Sequence, residues 1–377
     1  MVENKDKKVL NVPNLRFPEF QGEWKKCKLG DVCNTSTGNK NTQDKTDDGI
    51  YPFYVRSQTV ERINSWTFDG EAILTAGDGV GVGKVFHHTY GKIGVHQRVY
   101  ILSDFKCDAN YLFHFFSSKF YNRVKRMSAK NSVDSVRKEM ITDMPLSLPC
   151  CQEQIKIGYM LSILDERIAT QNKIIEDLKM LRSAIIEREY HQDSSKLSCI
   201  GDAIVQTSKR NKTGVLHNVL SVSNIHGFVK QSEQFEDRNI ASEDTSNYKI
   251  VERNEFAFNP ARINVGSIAR LMTYENGIVS PMYICFRTKD CLQPEYLEYF
   301  FETKQFVFEM RRRLEGSVRQ CLSFDGLCNI PFIIPIMEQQ QRIEQHISVL
   351  TQKIQLENDI LRLLHEQKSG LLNQMFI

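Results

Sequence analysis

None of the ten cysteines pairs with another in C-x-x-C spacing, and Cys150 and Cys151 are adjacent. The spacing offers no zinc framework, so reduced, mostly buried thiols and no metal site are expected. Long apolar runs are also missing. The most apolar stretch, residues 330–337, is short and interrupted by Pro331 and Pro335, which excludes a membrane span. Residues 1–11 are polar and charged without an apolar core, unlike a signal peptide, so a cytoplasmic protein with no membrane attachment is expected. Charge of one sign is scarce: 49 basic against 46 acidic residues leave +3, so binding to a polyanion has to use local patches.

Complete catalytic motifs are absent too. The segment Ala76-Gly77-Asp78-Gly79-Val80-Gly81-Val82-Gly83-Lys84 lacks the first glycine and the Ser or Thr of a P-loop, and it contains no complete G-x-G-x-x-G. It reads instead as a tight turn between strands that lets backbones approach closely. Glu19, Glu23 and Lys25 lie too close together for a nuclease site. The sequence Phe258-Asn259-Pro260-Ala261 lacks the second proline and the aromatic of an amino-methyltransferase motif, and no histidine has partners spaced for a triad or a metal. The chain reads as non-catalytic, with no cofactor of its own.

What the sequence does have is a repeat. Residues 149–190 return without a gap 186 positions later, and at this offset over residues 145–190 the pairs Pro145/Pro331, Pro149/Pro335, Gln154/Gln340, Ser162/Ser348, Leu164/Leu350, Ile168/Ile354, Asn172/Asn358 and Leu178/Leu364 are identical. Each copy carries a 3.5-residue apolar seam: Ile157, Leu161, Leu164, Ile168, Ile175, Leu178 and Ile185, then Ile343, Ile347, Leu350, Ile354, Leu361, Leu364 and Leu371. Such a period predicts helices that pair with each other, each roughly 58 Å long, and polar Gln171 and Glu357 break the two seams at matching positions. Two ordinary amphipathic helices would explain the stripe but not the gapless repeat.

The preceding halves also match. Leu29-Gly30-Asp31 answers to Ile200-Gly201-Asp202, Val82-Gly83 to Val265-Gly266, Tyr100 to Tyr283, and Tyr111-Leu112 to Tyr296-Leu297. Short strands are predicted at 51–55, 72–75, 84–88, 99–102 and 145–149, with a helix at 111–117. The expected architecture is therefore α+β (mixed α/β): globular domains at 1–148 and 191–335, helical spacers at 149–190 and 336–377, and a pseudo-two-fold repeat. Between the anchors the loops hardly match. One scaffold with divergent loops points to two different recognition tasks.

Basic residues recur behind the Tyr-Leu helix of each half: Arg123, Lys125, Arg126, Lys130, Arg137 and Lys138, then Arg311, Arg312, Arg313 and Arg319. A charge run is usually a solvated face, but its recurrence points to phosphate contacts. Base edges need donors and acceptors on loops. By type and position the candidates are Asn39, Lys40, Arg56, Ser57, Gln58, Gln97 and Arg98 in the first half. In the second they are Lys209, Arg210, Asn211, Lys212, Asn224, Asn259 and Arg262.

Two divergent halves, each ending in Pro-x-x-x-Pro and a Gln-rich helix start (Pro149 to Ile155, Pro335 to Gln341), resemble the specificity subunit of type I restriction-modification enzymes. Residues 15–24, LRFPEFQGEW, are similar to the opening segment of many such subunits. The resemblance implies two target-recognition domains, each reading one half of a bipartite, asymmetric site in double-stranded DNA, and two antiparallel spacers that set the gap between half-sites. It further implies docking of two methyltransferase subunits, with motor-nuclease subunits joining. S-adenosylmethionine, ATP and Mg would then belong to those partners. A stand-alone enzyme using the glycine-rich loop and a coiled-coil scaffold joining two protein-binding modules are the competing readings.

Overall fold

The computed structural model describes residues 10–127, 135–191, 198–234, 245–316 and 320–377. Two compact units divide them, residues 1–172 with 359–377 and residues 173–358.

Unit 1 begins with β1 (Lys25–Lys28), the single turn α1 (Leu29–Val32) and β2 (Asn34–Thr37). The Asp31 carboxylate accepts the Lys28 N–H at 2.8 Å, which closes that turn. Strands β3 (Tyr51–Tyr54), β4 (Val60–Ile63), β5 (Phe68–Ala76), β6 (Phe86–Val95) and β7 (Val99–Ser103) follow, then helices α2 (Ala109–Met127) and α3 (Lys138–Thr142) and strand β8 (Pro145–Leu148). Six strands form one sheet in the order β2-β7-β5-β6-β3-β4. A bridge from Lys40 to His96 brings the end of β6 back to the exit of β2, so the sheet curls on itself. Alternation along the strands splits the apolar residues between two faces. Ala72, Leu74, Val99 and Ile101 pack on one, while Ile73 and Leu102 face α2, which buries Tyr111, Leu112, Phe115, Phe116, Phe120 and Val124.

Helix α4 (Cys151–Tyr190) is shared, its residues up to 172 belonging to unit 1 and the rest to unit 2. Unit 2 continues with β9 (Ser198–Cys199), α5 (Ile200–Ala203), β10 (Ile204–Thr207), β11 (Val219–Ser223), β12 (Gly227–Lys230), α6 (Gln231–Gln234), β13 (Lys249–Glu252), β14 (Phe256–Phe258), β15 (Ile268–Arg270), β16 (Asn276–Val279) and β17 (Ile284–Thr288). It ends with helices α7 (Pro294–Phe300), α8 (Lys304–Arg312) and α9 (Phe324–Cys328), strand β18 (Pro331–Phe332) and helix α10 (Met337–Met375), whose last turns return to unit 1. Here the sheet is split in two, β10-β17-β14-β15 and β12-β11-β16-β13. Phe256, Phe258, Phe286, Tyr296 and Phe300 form the main core.

The repeat is legible bond by bond. Asp202 closes α5 through Cys199 N–H at 2.8 Å, as Asp31 closes α1. Gly30 lies against Thr142 and Gly201 against Cys328, where a Cβ would come within 3.1 and 2.8 Å. Gln154 accepts the Asp108 N–H and donates to the Pro149 carbonyl, and Gln340 does the same with Gln293 and Pro335. Asn172 and Asn358 each donate to the carbonyl four residues earlier. These side chains satisfy buried or terminal backbone groups, which is why they persist where the loops diverge.

Within each unit the two long helices run antiparallel. In unit 1, Ile157 and Leu161 share a core with Met375 and Phe376, Asp165 pairs with Lys368, and Leu164 and Ile168 pack with Leu361, Leu364 and Leu371. In unit 2, Arg182 donates to Thr351 at 2.9 Å, and Ile186 and Tyr190 share a core with Ile343 and Ile347. Gln171, Ile175 and Glu357 are buried, while Leu178, Ile185, Leu350, Ile354, Leu361 and Leu371 are half-buried. At the far end of the seam Ile185 packs half-buried against the unit 2 core, and Ile186 and Tyr190 beside it are buried more deeply. A straight helix drifts about 20° per heptad from a 3.5-residue stripe, and the partner there is the globular core of unit 2.

Candidate nucleic-acid interface

In unit 1, Thr37 pairs with Tyr100 and Ala76 with Val99, so β2 and β5 end where β7 begins. Three connections therefore emerge at one rim: 38–44, 77–85 and 96–98. Gly38 N–H donates to the Val99 carbonyl, Gly77 N–H to Arg98 and Gln97 N–H to Lys40. The Gln97 amide donates to Asn41 Oδ1 at 2.6 Å. Arg56 joins through Asp78, its Nη1 lying 2.8 Å from Oδ1, and Arg98 Nε faces the other carboxylate oxygen at 3.6 Å. Beneath them His96 is buried, its Nδ1 accepting the Arg98 N–H at 3.0 Å. Burial, reinforced by the Arg56 and Arg98 charges, pushes its pKa down and favours the neutral ring.

The rim thus gathers Asn39, Lys40, Arg56, Ser57, Gln58, Gln97 and Arg98, with Lys40 half-buried and the others exposed. Sequence reasoning missed Asp78, His96 and Asn41. The glycine-rich segment, read as a tight turn that lets backbones approach closely, is the available signal for Asp78, but the turn reading singles out no side chain.

The far end of that turn packs on α2, where Lys84 Nζ lies 5.5 Å above the Tyr121 ring. One turn later come the basic candidates. Lys125, Arg126, Arg137 and Lys138 are exposed. Arg123 is half-buried and donates to the Met140 carbonyl at 2.7 Å, so it ties α2 to α3. Lys130 lies outside the described residues.

In unit 2, Thr207 pairs with Cys285 and Phe258 with Ile284, so the segments after β10 and β14 leave the same edge. Lys209 pairs with Glu252, Arg210 donates to Asn247, and Lys212, Asn224 and Arg262 are exposed. Two candidates are placed differently from expectation. Asn211 is buried, donating to the Leu216 carbonyl and accepting the Leu216 N–H. Asn259 is buried too, its Oδ1 accepting the Ala261 N–H at 3.1 Å. Asparagine readily bonds the backbone of its own loop, so loop position did not mean availability.

On α8, Arg311 and Arg312 are exposed, and Arg312 lies near Glu309 and over the Phe308 ring. Arg313 is half-buried and holds both the carboxylate and the carbonyl of Glu309. Arg319 lies outside the described residues. Among the described residues no cluster of His, Cys, Asp or Glu could hold a metal ion, and no helix is long and apolar enough to cross a membrane.

Two copies of one α/β plan, each with a polar loop rim and each holding part of an antiparallel helix pair, define a duplicated two-domain scaffold. The model of the type I restriction modification DNA specificity domain matches residues 21–180 and again residues 226–366, and the chain belongs to that family. It is 29% identical over 168 residues to the EcoDI specificity subunit of Escherichia coli, covering 44% of this chain and 37% of that protein. To the MjaVIII specificity subunit of Methanocaldococcus jannaschii it is 27% identical over 217 residues, covering 52% and 49%. The matches thus span about half or less of these relatives' length.

Among solved structures, the type I restriction-modification S subunit from M. genitalium superposes with a TM-score of 0.63 at 15% identity, over 97% of this chain and 99% of that one. A chain from a study of assembly and conformational transition of the type I R-M system gives 0.55 at 13% identity, over 93% and 97%. At such identities the likeness speaks for the fold.

Proposed function

We propose that this chain is the DNA-recognition subunit of a type I restriction-modification complex. Each rim reads one half of a bipartite, asymmetric duplex site, and the helix pair sets the spacing and docks two methyltransferase subunits. Motor-nuclease subunits join that assembly, and methyl transfer from S-adenosylmethionine and Mg- and ATP-dependent cleavage take place in the partners. This chain contributes position and selectivity. The observation that carries the reading is the contrast within the repeat. The Gln154/Gln340 and Asp31/Asp202 bonds recur, while the rims present different donors.

The test is a chimera in which residues 191–335 are replaced by the equivalent domain of a relative, expressed with its methyltransferase, and the methylated motif is read by sequencing. One half of the motif should change and the other should stay. A change in both halves would show that the domains do not read independently.

A further inference from the structure

We propose that the glycine-rich segment 77–84 is a jig that sets Arg56 and Arg98 to read guanine in the half-site taken by unit 1, with Asp78 as the positioning residue. This rests on the DNA-reading role above and adds what that role leaves open: which bases, and which residue fixes the readers.

The glycines are placed where the loop presses on the backbones of both arginines. A Cβ at Gly77 would lie 2.9 Å from the Arg98 carbonyl oxygen, and one at Gly81 would lie 2.4 Å from that of Arg56. Gly77 N–H also donates to the Arg98 carbonyl at 2.8 Å. Between these glycines Asp78 reaches both side chains, at 2.8 Å to Arg56 Nη1 and 3.6 Å to Arg98 Nε. One acid thus hydrogen-bonds Arg56 and faces Arg98 at ion-pair distance, and the same loop presses on the backbones of both.

The donor inventory then decides what they can read. Facing Asp78 through Nη1 leaves Arg56 the edge made by Nε and Nη2, and facing it through Nε leaves Arg98 its two terminal nitrogens. Either edge is a two-donor fork, and in the major groove guanine alone presents two acceptors, O6 and N7, to such a fork. Both side chains remain open to solvent, at 46% and 65% exposure, so the forks are free to meet a ligand. A carboxylate on a DNA-facing rim repels phosphate, and two arginines around one aspartate still leave the trio net positive. The matching turn of unit 2, residues 259–267, carries no acidic residue, so the device belongs to unit 1 alone.

The experiment is selection of a randomised duplex library by the full-length chain, wild type against Asp78→Asn, Arg56→Lys and Arg98→Lys, with binding to random duplex measured across salt. Wild type should enrich a motif with one or two G·C pairs in the half that the 191–335 exchange leaves alone. Asp78→Asn should cut discrimination at those pairs by about 5- to 100-fold, while affinity for random duplex holds or rises because a negative charge has gone. The lysine variants keep charge but lose the fork, so guanine preference should fall with an unchanged salt slope. A merely structural Asp78 would instead lower binding to all sequences alike, which overturns the proposal. So does a motif unmoved by all three substitutions, or one without G·C pairs in that half. If Asp78→Asn impairs folding, Arg98→Lys, which leaves the loop intact, decides by the same readout. A wild-type chain that enriches nothing overturns the DNA-reading role itself, and the guanine assignment with it.

Discussion

A single methyl group, added to two glycines on the long helices, should have opposite effects. Both Gly158 on α4 and Gly370 on α10 are helical, and replacing such a glycine by alanine in open surroundings stabilises by about 0.5–1 kcal/mol. Gly370 has nothing within 4 Å of the new Cβ, so it should show that gain. At Gly158 the Cβ would stand 2.7 Å from Asp108 Oδ1, 2.8 Å from Tyr111 N and 2.9 Å from Asn110 Cβ. Those atoms are the first turn of α2, where Asp108 Oδ1 accepts the Tyr111 N–H at 2.8 Å. Because one neighbour is backbone, the clash is relieved only by moving α2 off α4. Overpacking costs about 1–3 kcal/mol and a weakened cap about 1 kcal/mol more. Against the propensity gain, Gly158→Ala should lose about 1–3 kcal/mol net. Both tryptophans, Trp24 and Trp66, lie in unit 1, so urea unfolding followed by tryptophan fluorescence reports that unit alone. Gly370→Ala should raise the midpoint and Gly158→Ala lower it at constant slope. If both raise it, the close approach of α2 and α4 does not hold and the placement of this junction is wrong.

The buried Glu153 carboxylate takes both its hydrogen bonds from Arg16 at 2.8 Å, so Arg16→Ala should cost unit 1 about 3–5 kcal/mol, with much recovered by adding Glu153→Leu; an unshifted midpoint would show the pair to be inert. His114 is buried against Ser162 and Asp165, with Lys368 and His88 close by, and burial pushes its pKa down to about 4. Its folded pKa lies below the unfolded one, so the stability it contributes is present above pH about 6.5 and lost as pH falls towards 4, on the order of 3 kcal/mol in all. His114→Gln should flatten unit 1 stability across that window, and an unchanged slope would count against the assignment. Finally, Arg311→Gln should lower the salt slope of DNA binding by about 0.9, whereas Arg313→Gln, tied to Glu309, should lower stability and leave the slope alone. Equal slope changes would refute that division.

The scaffold was legible because its signals are local or periodic. Gapless identity exposed Gln154 and Gln340 before their hydrogen bonds could be seen, and the 3.5-residue seam announced paired helices. What lay hidden depends on contacts distant in sequence. Nothing in the sequence says that Asp78 meets both Arg56 and Arg98, since the curl of the sheet makes that meeting. Asn211 and Asn259 were indistinguishable by type from Asn39 and Asn224, and only burial separates them. Arg313 likewise matched Arg311 until Glu309 was seen to hold it.

The division of the long helices bears on how the chain comes to be folded. Unit 2 is one continuous stretch, residues 173–358, whereas the core of unit 1 includes Met375 and Phe376. As the ribosome delivers the chain, every residue of unit 2 is made before those two. Domains usually fold in the order of synthesis, N-terminal first. Here the half made first has to wait, incomplete, with Tyr111 and Phe115 lacking the Phe376 ring that closes over them at 5.3 and 5.7 Å. The half made second needs nothing made after residue 358, so unit 1, although begun first, is completed only by residues made after all of unit 2.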